Sequence, residues 1–206
     1  MSASYVYRYQ DALYVNLTNR CPTSCVFCVK GPYRMDYRGL DLSLGAEPTT
    51  EQIMMSLREQ APLSELVFCG YGESTYRMPE LMEVSRTVRA EFKVPVRLNT
   101  IGLGSLINGR DISQDLAACL DAVSISLNTA DPESWLRLHR PLPEFRKEGF
   151  AAVLDFTRAC VRGGLRTVAT AVDYPENDLA AVEALAGELG AAFRLRPRLE
   201  DEWKKA

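Results

Sequence analysis

With 206 residues, 47% of them hydrophobic and 25% charged, the chain is long enough to bury a sizeable core as one soluble domain over residues 1–206, ending in a charged tail at 199–206. A net charge of −3 and a pI near 5.4 exclude a global attraction to nucleic acid or to an anionic membrane surface. No run approaches the roughly 18 apolar residues of a membrane span, and no basic and apolar leader opens the chain. Outside one cluster the cysteines are scattered singly as Cys69, Cys119 and Cys160, so a reducing, cytoplasmic compartment is expected.

In chain order, strand and helix patterns alternate. Tyr5-Val6-Tyr7-Arg8-Tyr9 reads as a short strand that turns at Gln10-Asp11 and pairs as a hairpin with an apolar run over 13–18. The stretch Cys21-Pro22-Thr23-Ser24-Cys25-Val26-Phe27-Cys28 leaves that strand. Residues 30–45 follow as a loop carrying Tyr33, Arg34, Tyr37 and Arg38, and a loop of that length favours function over mere connection. Thr49-Thr50-Glu51 opens a helix with Ile53, Met54 and Leu57 on one face. Strands over 65–68, 94–99, 122–127, 167–172 and 191–195 then alternate with helices over 79–92, 113–120, 132–139, 150–162 and 178–189. Pro141 stops the third of these helices, and Gly163-Gly164 ends the fourth.

About six βα units are too few for a full eight-stranded barrel of about 250 residues. Right-handed connections curl such a chain into either an open doubly wound sheet or a partial barrel, which periodicity does not separate. Both arrangements bind ligands at the C-terminal ends of their strands, so residues there carry the functional reading.

The cysteine stretch is the strongest such feature. Cysteines spaced by three and then two residues can gather thiolates around an iron–sulfur cube, which normally takes four protein ligands; three here would leave one iron open to a small molecule. A structural zinc site would want a fourth nitrogen or sulfur ligand, and the sole histidine, His139, is distant in sequence. Buried inert thiols, or a disulfide that leaves one cysteine over, are the remaining readings.

Later strand ends add polar groups. Gly70-Tyr71-Gly72-Glu73 closes the second strand, and its glycines would let backbone approach a ligand, although a tight turn explains them as well. Asn99 closes the third strand in Asn99-Thr100-Ile101-Gly102, as a ligand contact or a turn cap. Period-2 alternation puts Ser124, Ser126 and Asn128 on one face of the fourth. Arg140 is either an anion contact or a helix-end cation favoured by the dipole. A lone histidine such as His139 is more often surface or packing than catalytic, and Cys69, without companions, reads as packing. Arg194, Arg196 and Arg198, with the 30–45 loop, could bind an anionic or aromatic substrate.

Cys-x-x-x-Cys-x-x-Cys after a first strand, with Phe27 before its last cysteine, resembles the cluster loop of the radical S-adenosylmethionine (radical SAM) superfamily. Leu17-Thr18-Asn19-Arg20-Cys21, Val67-Phe68-Cys69-Gly70-Tyr71-Gly72-Glu73, Val96-Arg97-Leu98-Asn99-Thr100 and Val123-Ser124-Ile125-Ser126-Leu127-Asn128 together resemble its small TatD family-associated members. The resemblance implies a partial six-stranded barrel with parallel strands, preceded here by the hairpin. It further implies a [4Fe–4S] cluster on Cys21, Cys25 and Cys28, with S-adenosylmethionine chelating the fourth iron. Reductive cleavage would give a 5′-deoxyadenosyl radical that abstracts hydrogen from an unassigned substrate, with electrons from a flavodoxin- or ferredoxin-type donor.

The same resemblance places Gly70, Tyr71, Gly72 and Glu73 at the cofactor's amino group, as in a Gly-Gly-Glu-Pro element from which this chain departs at Tyr71 and Ser74. Asn99, Ser126 and Asn128 would face its ribose or carboxylate, and Arg140 its carboxylate. The subfamily label implies a functional link to a TatD-like hydrolase and leaves the reaction undefined. An activase acting on a partner protein, or a cluster-bearing module without turnover, are the alternatives to a small-molecule enzyme.

Overall fold

The computed structural model describes residues 5–28, 30, 36–37, 39–175 and 177–198. Tyr33, Arg34, Arg38, the Tyr37 side chain and the 199–206 tail lie outside the described residues. The elements are β1 (Val6–Tyr9), β2 (Ala12–Val15), β3 (Asp36–Tyr37), β4 (Leu40–Asp41), α1 (Thr50–Glu59), β5 (Leu66–Phe68), α2 (Met78–Glu91), β6 (Val96–Thr100), α3 (Gly104–Ile107), α4 (Ser113–Ala117), β7 (Ala122–Ser126), α5 (Pro132–His139), α6 (Gly149–Arg162), β8 (Arg166–Val172), α7 (Leu179–Glu188) and β9 (Ala192–Arg196). No helix among them is long and apolar enough to cross a membrane.

The main sheet runs β1-β2-β5-β6-β7-β8-β9. β1 pairs antiparallel with β2, Val6 opposite Val15, as the expected hairpin. Every other pairing in this sheet is parallel. The fold is therefore the expected mostly parallel α/β arrangement, a six-stranded parallel sheet with a hairpin on its first edge, left open between β1 and β9.

Local sequence accounts for the helix starts. Thr49 accepts from Gln52 N–H while the Gln52 side chain reaches back to the Thr49 N–H, a reciprocal cap that fixes the first turn of α1. Asp131 and Asp178 cap α5 and α7 in the simpler one-sided way. The crossover after β6 holds an element that local sequence does not signal. A one-turn helix, α3, begins at Gly104, where a Cβ would lie 2.8 Å from Ile112 Cδ1 and 3.0 Å from Thr75 Cγ2. Tertiary packing, which local propensity does not encode, selects this turn.

The sheet has two chemically distinct faces. Leu13, Val15, Leu66, Phe68, Leu98 and Ile125 point outward into the core built with the helices. Parallel register sets Tyr14 beside Val67 and Val67 beside Arg97 on the opposite face, then Asn99 beside Ser124 and Thr170 beside Arg194. That inner face is polar and borders a cleft of about 1010 Å³. Leu98 is fully buried at the centre of the apolar layer, so Leu98→Ala should cost about 2–5 kcal/mol in denaturant unfolding while leaving the inner face intact.

Candidate active site

The cysteine loop is held by the end of a helix. The last carbonyls of α5 lack intrahelical partners, as at any helix C-terminus, and the loop supplies them. Val26 N–H donates to Leu138 O at 2.9 Å, and Ser24 N–H lies 3.1 Å from His139 O and 3.2 Å from Arg140 O. Leu142 N–H returns to Pro22 O at 2.9 Å, and Thr23 forms a bridge with Pro141. Arg140 adopts the left-handed conformation, φ 45°, that ends the helix and turns these carbonyls toward the loop.

Cys21, Cys25 and Cys28 all line the same cleft. The Thr23 hydroxyl lies between two of them, 3.5 Å from Cys21 Sγ and 3.3 Å from Cys25 Sγ. Burial raises the pKa of the Cys21 thiol and pushes Cys25 up to about 12, with the neighbouring cysteines adding repulsion at Cys25. Thiolates crowded this way need positive charge among them, which a ligated metal cluster supplies. Among the described residues no three His, Cys, Asp or Glu side chains converge on a point that would hold one metal ion. The three sulfurs border one cleft, and thiolates are the donor type that iron–sulfur groups take.

Glu73 binds this loop to the next two strand ends. Its N–H donates to Arg20 O at 2.8 Å. Oε1 accepts from Thr75 N–H at 3.1 Å and Thr75 Oγ1 at 2.8 Å, and Oε2 accepts from Thr100 Oγ1 at 2.9 Å and Ile101 N–H at 2.8 Å. Burial raises its pKa, opposed by these donors. The carboxylate is thus spent within the protein, although Gly70, Tyr71, Gly72 and Glu73 all border the cleft. Gly72 is required by contact, since a Cβ there would stand 2.0 Å from Thr18 O and 2.7 Å from Arg20 O.

The remaining sequence-expected contacts divide. Asn99 and Ser126 border the cleft, with Asn99 Oδ1 accepting from Arg97 Nη1 at 2.6 Å and Ser126 Oγ from Arg196 Nη2 at 3.3 Å. Asn128 does not reach it. Its fully buried side chain, on a residue at φ 61°, accepts from Val172 N–H at 3.0 Å and faces His139 Nε2 at 3.3 Å. Asn128, expected at the cofactor ribose, is thus placed away from the other cleft residues: left-handed backbone after β7 turns the amide inward, out of the alternation that Ser124 and Ser126 obey. Arg140, expected at the cofactor carboxylate, has an exposed side chain that is not among the cleft residues, while its backbone carbonyl meets the cysteine loop.

His139, which sequence alone reads as surface or packing, is fully buried behind the cysteine loop, with Nδ1 3.5 Å from Cys25 Sγ. Its ring stacks on Trp135 at 5.1 Å and meets the Phe27 edge at 5.6 Å. Burial drives its pKa down to about 3, against a weaker effect of the Leu127 carbonyl. Only the position of α5 over the loop brings this ring to Cys25; no spacing in the chain signals it. Thr23, between the cysteines, was visible in sequence but had no assigned part.

Three inward arginines complete the face. Arg97 is neutralised by Glu65 through contacts of 3.0 and 2.8 Å. Arg194 and Arg196 reach only Ser124 Oγ at 3.5 Å and Ser126 Oγ, and neither has a carboxylate partner among the described residues. Arg196 Nε is buried without a hydrogen-bond partner. Burial lowers the pKa of both, with Arg97 adding repulsion at Arg194 and Arg194 adding it at Arg196. Arg198 is occupied by the Asp173 carbonyl and the Tyr174 ring.

Comparison with known proteins identifies a family. A family model described as Radical SAM superfamily matches residues 15–188. A curated relative, the probable dual-specificity RNA methyltransferase RlmN of Prochlorococcus marinus (strain MIT 9515), is 29% identical over 122 residues, covering 55% of this chain and 33% of that protein. Among solved structures, native anSMEcpe with bound AdoMet aligns at a TM-score of 0.65 with 16% identity, over 90% of this chain and 50% of that one. Streptococcus suis SuiB bound to precursor peptide SuiA aligns at 0.64 with 15% identity, over 91% and 39%. The chain thus spans about a third of the curated relative and half or less of these structures.

The contact at Gly72 is directly testable. Gly72→Ala should lower both thermal stability and the iron retained after anaerobic reconstitution, because backbone oxygens cannot yield as a side chain would. Gly187→Ala, in open space on α7, should instead leave iron content unchanged and raise stability by about 0.5–1 kcal/mol.

Proposed function

Because the chain belongs to the radical SAM superfamily of enzymes, its family model spanning residues 15–188, we propose that Cys21, Cys25 and Cys28 hold a [4Fe–4S] cluster whose open iron takes S-adenosylmethionine. When bound, that pair supplies one-electron cleavage of the sulfonium to a 5′-deoxyadenosyl radical and methionine, and the radical abstracts hydrogen from substrate. The observation that supports the reading is that all three cysteines border one cleft, together with the polar residues of the strand ends.

The chain's own residues position and enclose. With the Glu73 carboxylate spent inside the protein, the cofactor contacts fall to the backbone of Gly70, Tyr71 and Gly72 and to the side chains of Asn99 and Ser126, all at the cleft. Tyr71, in place of the superfamily's glycine, is buried with Tyr7 and Leu42 and closes that side. The small TatD-associated assignment rests on the four strand-end segments; it favours a link to a TatD-like hydrolase and names no reaction. A low-potential flavodoxin- or ferredoxin-type donor would supply the electron.

Substrate class follows from charge. Two inward guanidinium groups without carboxylate partners among the described residues favour a small anion such as a carboxylate or phosphate ester, which Arg194 and Arg196 would bind with charge-assisted hydrogen bonds.

Two experiments test these readings. Anaerobic reconstitution should give about four irons per chain, and dithionite with S-adenosylmethionine should yield 5′-deoxyadenosine. Cys25→Ser should abolish both, and cleavage that persists in this variant defeats the ligand assignment. In the second, a deuterated metabolite pool is fractionated by charge. Label should enter 5′-deoxyadenosine from the acidic fraction and fall roughly 10–100-fold in Arg194→Gln, the loss of one charge-assisted contact, while substrate-free cleavage is retained. Transfer from the neutral fraction alone would argue against an anion.

A further inference from the structure

We propose that His139 is a positioning residue for the cluster, donating Nδ1–H to the Cys25 sulfur in a tautomer set by Asn128. The proposal rests on the assignment of Cys25 as a cluster ligand, and goes beyond it. The polarity of three consecutive hydrogen bonds fixes the proton. Val172 N–H can only donate, so the Asn128 atom that meets it at 3.0 Å is the carbonyl oxygen. The other end of that amide, Nδ2, faces His139 Nε2 at 3.3 Å. An amide N–H needs a lone pair there, so Nε2 is bare and the ring's one proton sits on Nδ1, 3.5 Å from Cys25 Sγ.

The arrangement is built to be rigid. The ring is fully buried, so no water competes for its proton, and the Leu127 carbonyl is a protein acceptor that acts on it besides the sulfur. Trp135 stacks on it at an interplanar angle of 23°, and Phe27 meets it edge-on at 89°. Backbone hydrogen bonds from Ser24 and Val26 hold the sulfur-bearing loop to the same helix end that carries the ring.

A ligating thiolate gains negative charge when its cluster is reduced, so a donor aimed at it stabilises the reduced state more than the oxidised one. Hydrogen bonds to cluster sulfurs are among the factors that set the potential, and a donor here raises it. The same bond fixes the rotamer of Cys25. His139 would thereby govern how readily the cluster accepts the electron that starts the reaction, without itself touching S-adenosylmethionine or substrate.

The test uses the reconstituted holoprotein. His139 is the only histidine in the chain, so labelling histidine rings with 15N needs no further assignment. Pulsed EPR of the reduced cluster should show a 15N hyperfine coupling, and its absence from a fully loaded sample would overturn the proposal. In redox titrations, His139→Phe, which keeps an aromatic ring and removes the donor, should lower the ratio of reduced to oxidised cluster at a fixed solution potential by about tenfold or somewhat less.

His139→Asn, which returns an N–H close to the position of Nδ1, should recover much of that ratio. Equal ratios in wild type and His139→Phe, both carrying four irons, would overturn the proposal. If His139→Phe fails to take up iron, the coupling in the wild type decides. A wild-type protein that shows no four-iron signal removes the cluster reading itself, an outcome distinct from a loaded cluster without 15N coupling.

Discussion

One buried carboxylate sets the geometry of the strand ends. Leaving an ion such as Glu73 in the interior costs several kcal/mol unless its lone pairs are filled. Here four donors fill them, from Thr75, Thr100 and Ile101, while the Glu73 backbone reaches Arg20. Three segments far apart in sequence, the turn before the first cysteine, the loop after β5 and the end of β6, are held at one point. Close approach is the other half of the constraint: Gly72 lies against the carbonyls of Thr18 and Arg20 with no room for a methyl group. The cysteine loop can start in only one place relative to β5, and the cleft inherits that placement.

The two faces of the sheet explain why chemistry collects where it does. Helices cover the apolar face, as parallel strands require. The other face has no helical layer among the described residues, and its alternation carries Tyr14, Arg97, Asn99, Ser124, Ser126, Arg194 and Arg196 among a few aliphatic residues such as Val67. Polar groups gathered this way need partners. Glu65 satisfies Arg97, whereas the serines offer Arg194 and Arg196 only neutral oxygens. The unmatched positive charge belongs to the interior of the cleft, in a chain whose net charge is −3, and so bears on what the cleft admits rather than on association at large.

Much of this was legible in the sequence because it is written in short-range pattern. The alternation of Ser124 and Ser126, the apolar face of α1, the capping residues and the stop at Pro141 are local signals, and the cysteine spacing is local too. Helix α5 was read with its bounds, Pro132–His139, intact. What could not be read is set by positive φ or by contact across the chain. Asn128 follows the β7 alternation on paper, yet φ of 61° turns it away from the cleft. Arg140 offers its backbone where its charge drew attention. His139 is a lone polar residue at a helix end, and only tertiary packing sets its ring 3.5 Å from a sulfur more than a hundred residues earlier in the chain.

That separation makes the shape of the site a property of the whole sheet. The cysteine loop is held by carbonyls at the end of α5, the helix that follows β7. Burial opposes ionisation of Cys21 and Cys25, so a cluster on the proposed ligands would displace their protons as it binds. Thr23, within hydrogen-bond reach of both sulfurs, and the histidine behind Cys25 would stabilise the thiolates in that exchange. The groups that shape the cysteine loop are thus the same ones that would set the electronic environment of a cluster held by it.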